Sequence, residues 1–241
     1  MPSRLVCVAT VALAALSSIR AGAVVRAERR GAVLALSNGR VRIEYDLGTG
    51  LVQALELPAR APRLRNAHTV VAEFDASGPK WRRTGSVALI RDALGSGNQL
   101  RIRCESPGSP AILLNLTLYD GASAIVAAAG IENRLPNPIR VREIRPLTGG
   151  EAFPGLQLAD ARTLDGNGGS GSTQVLRGVS RSSENNLLLT FKDRGHRRSL
   201  VLGGLTYRDF AKRVSTGAGP WTLAERRARI AREAPAGARL G

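Results

Sequence analysis

Two histidines, His68 and His196, are the side chains of this chain best suited to acid-base work near neutral pH. Neither has a second ligand at the helical or short-loop spacing of a metal centre, so no metal is expected at either. A mutarotase-like reaction needs an acid and a base on opposite sides of a sugar ring. His68, His196 and a glutamate are the candidates for those two roles. Their surroundings, Arg65-Asn66-Ala67-His68 and Arg194-Gly195-His196-Arg197-Arg198, are basic and loop-like and read as surface. No Gly-x-Ser-x-Gly elbow is present for an esterase. Glycoside hydrolysis needs two carboxylates at a set separation, and Asp46, Asp75, Asp160, Asp165 and Glu132 fit turns and strand ends equally well. Trp81 and Trp221 are the only indoles able to stack on a sugar. Trp81 follows Gly78-Pro79-Lys80 and precedes Arg82-Arg83, so of the two it is the one expected to be exposed and the better sugar-binding candidate, with ordinary packing the leading expectation for its ring. The Gly-rich run from Asp165 to Ser172 lacks both the acidic spacing of a calcium loop and the Gly-Lys-Ser/Thr ending of a phosphate loop. No cofactor is expected.

The elements that must position these residues are short strands. Val33 to Leu36, Val41 to Tyr45 and Leu51 to Leu57 are separated by Ser37-Asn38-Gly39 and by Gly48-Thr49-Gly50, residue types that tolerate positive φ in tight turns. Val70 to Phe74, Thr84 to Arg91, Gln99 to Cys104, Ala111 to Tyr119 and Ala124 to Asn133 continue the rhythm. Ile139 to Pro146, Leu187 to Lys192 and Ser199 to Tyr207 extend it, and a one-residue slip after Val141 predicts a bulge. So many closely spaced strands predict an all-β fold, a large two-sheet antiparallel β-sandwich. Leu223 to Glu233 reads instead as a short charged helix, polar nearly all round.

Met1 to Arg4, the apolar run Leu5 to Leu16 and Ala21-Gly22-Ala23 together match a secretory leader with its cleavage site. The apolar run is too short to span a bilayer, so a secreted or periplasmic protein beginning near Val24 is expected, without a transmembrane segment. The expected organisation is a signal peptide over 1–23, one sandwich domain over 24–214 and a basic tail over 215–241. Only Cys104 would remain in the mature chain, which excludes an internal disulfide. Alternation places its thiol on the face of Leu100 and Ile102, where it is expected to be buried and inert. Only 4% of the residues are aromatic, so the core must be aliphatic.

The net charge of +16 favours polyanionic partners. The basic residues are scattered, alternating with apolar ones in Arg40-Val41-Arg42-Ile43 and Arg140-Val141-Arg142, as on the solvated faces of strands. No zinc-finger spacing or aromatic-rich RNA-binding motif accompanies them, so no specific nucleic-acid role is expected.

The run Glu132-Asn133-Arg134-Leu135-Pro136-Asn137-Pro138-Ile139-Arg140-Val141-Arg142-Glu143-Ile144-Arg145-Pro146-Leu147, with Asn185 to Phe191 and Ser199 to Phe210, resembles the N-terminal β-sandwich of α-galactosidase-like (melibiase clan) glycoside hydrolases. The Asn38-Gly39-Arg40-Val41-Arg42-Ile43 and Gly48-Thr49-Gly50 hairpins fit the same module, and the resemblance covers about residues 33 to 214. It implies a carbohydrate-associated sandwich that packs against a (β/α)8 barrel. The barrel carries both catalytic aspartates in those enzymes, so no catalytic residue transfers to this chain. A non-catalytic module, alone or as part of a truncated hydrolase, is the leading expectation. The alternatives are a secreted basic protein that binds an anionic polysaccharide or cell-surface polymer, and a mutarotase-like enzyme. A sandwich shaped to pack on a barrel would also expose an apolar patch.

Overall fold

The computed structural model describes residues 11–12, 23–57 and 61–152, followed by nine separate strands in the C-terminal part. Strands β1 (Val11–Ala12), β2 (Arg26–Arg30), β3 (Val33–Ser37), β4 (Val41–Asp46), β5 (Val52–Glu56), β6 (Ala61–Val71) and β7 (Phe74–Asp75) come first. They are followed by β8 (Arg82–Asp92), β9 (Gly95–Glu105), β10 (Ala111–Tyr119), β11 (Ile125–Glu132), β12 (Ile139–Val141), β13 (Glu143–Thr148) and β14 (Glu151–Ala152). Beyond them lie β15 (Arg162–Asp165), β16 (Thr173–Val175), β17 (Arg181–Ser183), β18 (Asn186–Asp193), β19 (His196–Gly203), β20 (Arg213–Thr216), β21 (Thr222–Arg226), β22 (Arg232–Ala234) and β23 (Arg239–Leu240). The described residues contain no helix.

Two antiparallel sheets form the sandwich. The first runs β1-β11-β10-β9-β8, with β23 also on β11, so β1 adds to this sheet two residues from the stretch 1–23 expected to be a cleaved leader. The second runs β17-β20-β21-β13-β6-β5-β4-β3-β2, with β7 and β14 also on β6. Strands β15, β16, β18 and β19 make a separate four-stranded sheet, and β12 pairs with β22. Register shows why the first sheet buries one face. Ile112 lies opposite both Cys104 and Ile131, Leu114 opposite Ile102 and Ala129, and Leu116 opposite Leu100 and Ala127. All nine are at most 3% exposed, and they meet Leu36, Ile43, Tyr45, Val52 and Ile144 of the second sheet. Each fully buried Leu or Ile contributes about 1.5–3 kcal/mol, so this aliphatic sheet-on-sheet contact is what holds the layers together.

Polar side chains tie the layers at one end. The Asn38 carboxamide donates to the carbonyls of Tyr119 and Ala122 at 2.9 and 2.6 Å while accepting the backbone N–H of Arg40 and Val41. Val25 donates its N–H to Asp120 at 2.7 Å and accepts from Asn98 at 2.8 Å.

The structure differs from the expected elements at several points. Val70 to Phe74 is the turn of the β6-β7 hairpin, with Val71 opposite Phe74 across Ala72-Glu73. Ala72 sits at φ +53°, since a two-residue hairpin loop demands the left-handed region. The basic stretch Arg65 to His68 is strand in β6, kinked by Asn66 at φ +57° where the pairing with β5 shifts register. The Ile139 to Pro146 strand breaks at Arg142, between β12 and β13. The helix expected over Leu223 to Glu233 is replaced by β21 and β22, which pair with β13 and β12. A helix polar all round has no face to bury, whereas strands there satisfy open sheet edges.

Candidate functional site

The β6-β7 hairpin gathers two of the four candidate residues around one aspartate. His68 lies in β6 opposite Thr148 of β13, and its Nε2 is 3.6 Å from Oδ2 of Asp75 in β7. Asp75 holds its other carboxylate oxygen on the backbone N–H of Ser77 at 2.8 Å, and its carbonyl accepts the indole N–H of Trp81. Gly149, at φ +68°, lies so close that a Cβ there would fall 2.5 Å from Cε1 of His68. The missing side chain at this glycine leaves room for the imidazole, which is half-buried.

An imidazole paired with a carboxylate supplies one acid-base group on one side of a ligand. The second histidine is elsewhere: His196 starts β19 in the four-stranded sheet and pairs with Asp193 across a two-residue connection. The structure therefore places the two histidines on different sheets. Trp221 and Asp160 lie outside the described residues, as do residues 166–172 of the Gly-rich run.

Trp81 is a correction. It is 3% exposed and belongs to the core, with its N–H satisfied and Lys80 Nζ 5.3 Å from the ring centroid. Its ring is not presented for stacking on a sugar. The basic neighbours that made it look exposed are divided by strand alternation, because Arg82 points out and Arg83 points in.

Arg83 is the functional-looking residue that sequence reasoning missed. The residue is 8% exposed, and among the described residues no carboxylate forms a salt bridge with it. Instead it donates to the carbonyls of Ala76, Leu47, Gly48, Trp81 and Gly78, at distances from 2.5 to 3.3 Å. These acceptors come from the β4-β5 turn, the segment after β7 and the start of β8, so one cation closes three backbone segments. Gly50, at φ +78°, makes room for it: a Cβ there would stand 2.6 Å from both the Ala76 carbonyl and Arg83 Nε. No local motif announces such a site, because its acceptors are backbone atoms brought from separate turns.

Other candidates are also engaged structurally. Glu132 accepts a bidentate pair from Arg103 at 3.0 Å and a third bond from Arg134 at 2.8 Å, while Glu105 bonds both arginines at 2.8 Å. The Arg103 hydrogen bonds, with help from Arg134, hold the Glu132 carboxyl down to about 2. Asp46 caps the β4-β5 turn through the Gly48 N–H at 2.7 Å and the Thr49 hydroxyl at 2.9 Å. Cys104 is buried beside Leu100 and Ile102, with Sγ 3.6 Å from the Tyr45 hydroxyl, and burial pushes the thiol up. Arg42, expected on a solvated face, is 9% exposed and paired with Glu28 and Glu44 at 3.1 and 2.6 Å.

The exposed charges are mostly cationic, with Glu73, Asp92, Asp120 and Glu151 among them. Arg26, Arg29, Arg65, Arg82, Arg91, Arg101, Arg140 and Arg142 are exposed and take part in none of the salt bridges between described side chains. Arg42 and Arg103 lower the Glu28 and Glu105 carboxyls, and Arg26 and Arg82 lie close enough to add to that lowering, while Arg65 stands opposite Glu151 across the ladder. Among the described residues no group of three His, Cys, Asp or Glu is placed to hold a metal, and no helix is long and apolar enough to cross a membrane. No family model matches the chain, and neither a curated protein nor a solved structure is detectably similar to it.

Proposed function

We propose that this chain is an exported, non-catalytic, carbohydrate-associated β-sandwich module whose polymer partner is anionic. The observation that carries the reading is the fate of the two side-chain types suited to sugar. The one described indole is buried in the core, whereas eight described arginines stand exposed outside the salt bridges of the described side chains. Guanidinium groups bind carboxylate and sulfate groups of a polymer bidentately, which neutral sugars do not offer. The resemblance to the α-galactosidase-like sandwich supports the carbohydrate association, and the leader-like pattern of Met1 to Arg4, Leu5 to Leu16 and Ala21-Gly22-Ala23 supports export.

In this reading the charged surface recognises the polymer through many distributed contacts, without a pocket. Replacing Arg26 and Arg29 together with Gln is expected to weaken retention on an immobilised polyuronate several-fold, with binding to neutral galactan unaffected. Equal retention of the double variant on the polyuronate would remove the reading. The His68-Asp75 pair favours a second reading, mutarotase-like turnover. It requires that His68→Ala abolish anomer interconversion of a simple hexose while leaving polyuronate retention intact.

A further inference from the structure

Strand β8 is the outermost strand of the first sheet, and nothing in its sequence protects it. It is 11 residues long, contains no proline, and pairs with β9 without a register break from Arg82↔Glu105 to Asp92↔Gly95. Asp92 and Gly95 flank a two-residue loop and so form a hydrogen-bonded pair, which sets the alternation along the strand. The backbone groups of Arg82, Thr84, Ser86, Ala88, Ile90 and Asp92 face β9. Those of Gly85, Val87, Leu89 and Arg91 face outward, and among the described residues no backbone group takes them.

The same odd-numbered residues lie on the core side of the sheet, in register with Cys104, Ile102, Leu100 and Asn98 of β9. The second layer covers only the first half of this row. Arg83 is 8% exposed, and Leu34 of β3 sits so closely on Gly85 that a Cβ there would fall 2.3 Å from Leu34 Cδ1. Beyond that point cover is lost: Val87 is 42% exposed, Leu89 86%, and Leu94 in the adjoining turn 58%.

We propose that the occupant of this edge is a second copy of the chain, joined by antiparallel pairing of β8 with β8 about a two-fold axis at Val87. This register overlaps the whole strand and pairs outward-facing residues with outward-facing residues, as the ladder requires. It sets Val87 against Val87 and Leu89 against Gly85 of the other copy, where the absent side chain leaves Leu89 to pack on the other copy's Leu34 and Leu47. Its ends are complementary in charge, because Arg82 of each copy falls opposite Asp92 of the other on the outer face. Asp92 is already oriented by the Tyr119 hydroxyl at 2.8 Å and the Leu94 N–H at 2.8 Å. Arg91 falls opposite Arg83, whose charge is turned inward onto carbonyls. The proposal does not depend on the polysaccharide reading.

The test is sedimentation of the purified full chain, which is expected to form a dimer. Val87→Pro removes an N–H that the fold itself does not use, at an edge position where proline is tolerated. It is expected to give a folded monomer. Arg82→Asp should weaken dimerisation about tenfold through two symmetric cross-strand pairs, and the Arg82→Asp/Asp92→Arg exchange should restore it. Should Val87→Pro fail to fold, Val87→Cys decides: the two thiols at the axis are expected to form an intermolecular disulfide on mild oxidation. A monomeric wild-type chain, a Val87→Pro variant that still dimerises, no cross-link through Val87→Cys, or association only with an added (β/α)8 barrel would each overturn the proposal.

Discussion

The two sheets of the sandwich end in opposite ways. Strand β2 closes the second sheet with Arg26-Ala27-Glu28-Arg29-Arg30, five residues of which four are charged. Strand β8 closes the first sheet with twice that length, charges only near its ends, and bare Val87 and Leu89 in the middle. A short charged edge repels further strands, and a long apolar one invites them. Under the two proposals above the edges have separate tasks: β2 would offer cations to a polymer, and β8 would offer backbone and apolar surface to a second copy of the chain. It also separates two uses of arginine, since Arg83 is consumed inside the fold while Arg26 and Arg29 are exposed and outside the salt bridges of the described side chains.

The comparison breaks most visibly at Arg83. Arg83→Ala leaves buried carbonyls without donors and is expected to destabilise the fold by about 3–5 kcal/mol in chemical denaturation. Removing any single exposed arginine on β2 should change stability by less than about 0.5 kcal/mol. Gly50→Ala presses a methyl into the same nest at positive φ and should cost about 2–3 kcal/mol, read as a fall in thermal midpoint.

Smaller effects sharpen the contrast. Glu132→Gln should cost about 1 kcal/mol at neutral pH. The folded carboxyl is held below its unfolded value, so its contribution is present above the ordinary glutamate range and is lost as pH falls toward about 2. Wild type and variant should therefore converge in stability across that acid window. Ala72→Gly relieves the left-handed strain of the β6-β7 turn and should stabilise by about 1 kcal/mol. Leu89→Lys, which makes β8 resemble β2, should alter monomer stability by less than about 0.5 kcal/mol while abolishing self-association.

Much of the sandwich was legible from alternation. Ala111 to Tyr119 is strand as expected, and the Cys104, Ile102 and Leu100 row faces the core. The misread elements share a cause. Arg65 to His68, read as surface loop, is strand at a bulge, and Arg26–Arg30, to which no element was assigned, is an edge strand, so basic local composition concealed both. Trp81 was misjudged for a non-local reason. Its basic neighbour Arg83 is neutralised by carbonyls from residues 47, 48, 76 and 78, and no window around the tryptophan contains the β4-β5 turn that contributes two of them. The pairing of His68 with Asp75 likewise depends on a hairpin turn at Ala72-Glu73 that reads as continuous strand.

The central claim, that the exposed arginines of this sandwich hold an anionic polymer, is tested most directly by the salt dependence of binding. Affinity for a polyuronate should fall about tenfold or more between 50 and 200 mM salt, with a log-log slope that becomes shallower in the Arg26→Gln/Arg29→Gln variant. Salt-independent binding, or an equal affinity for neutral galactan, would contradict the account.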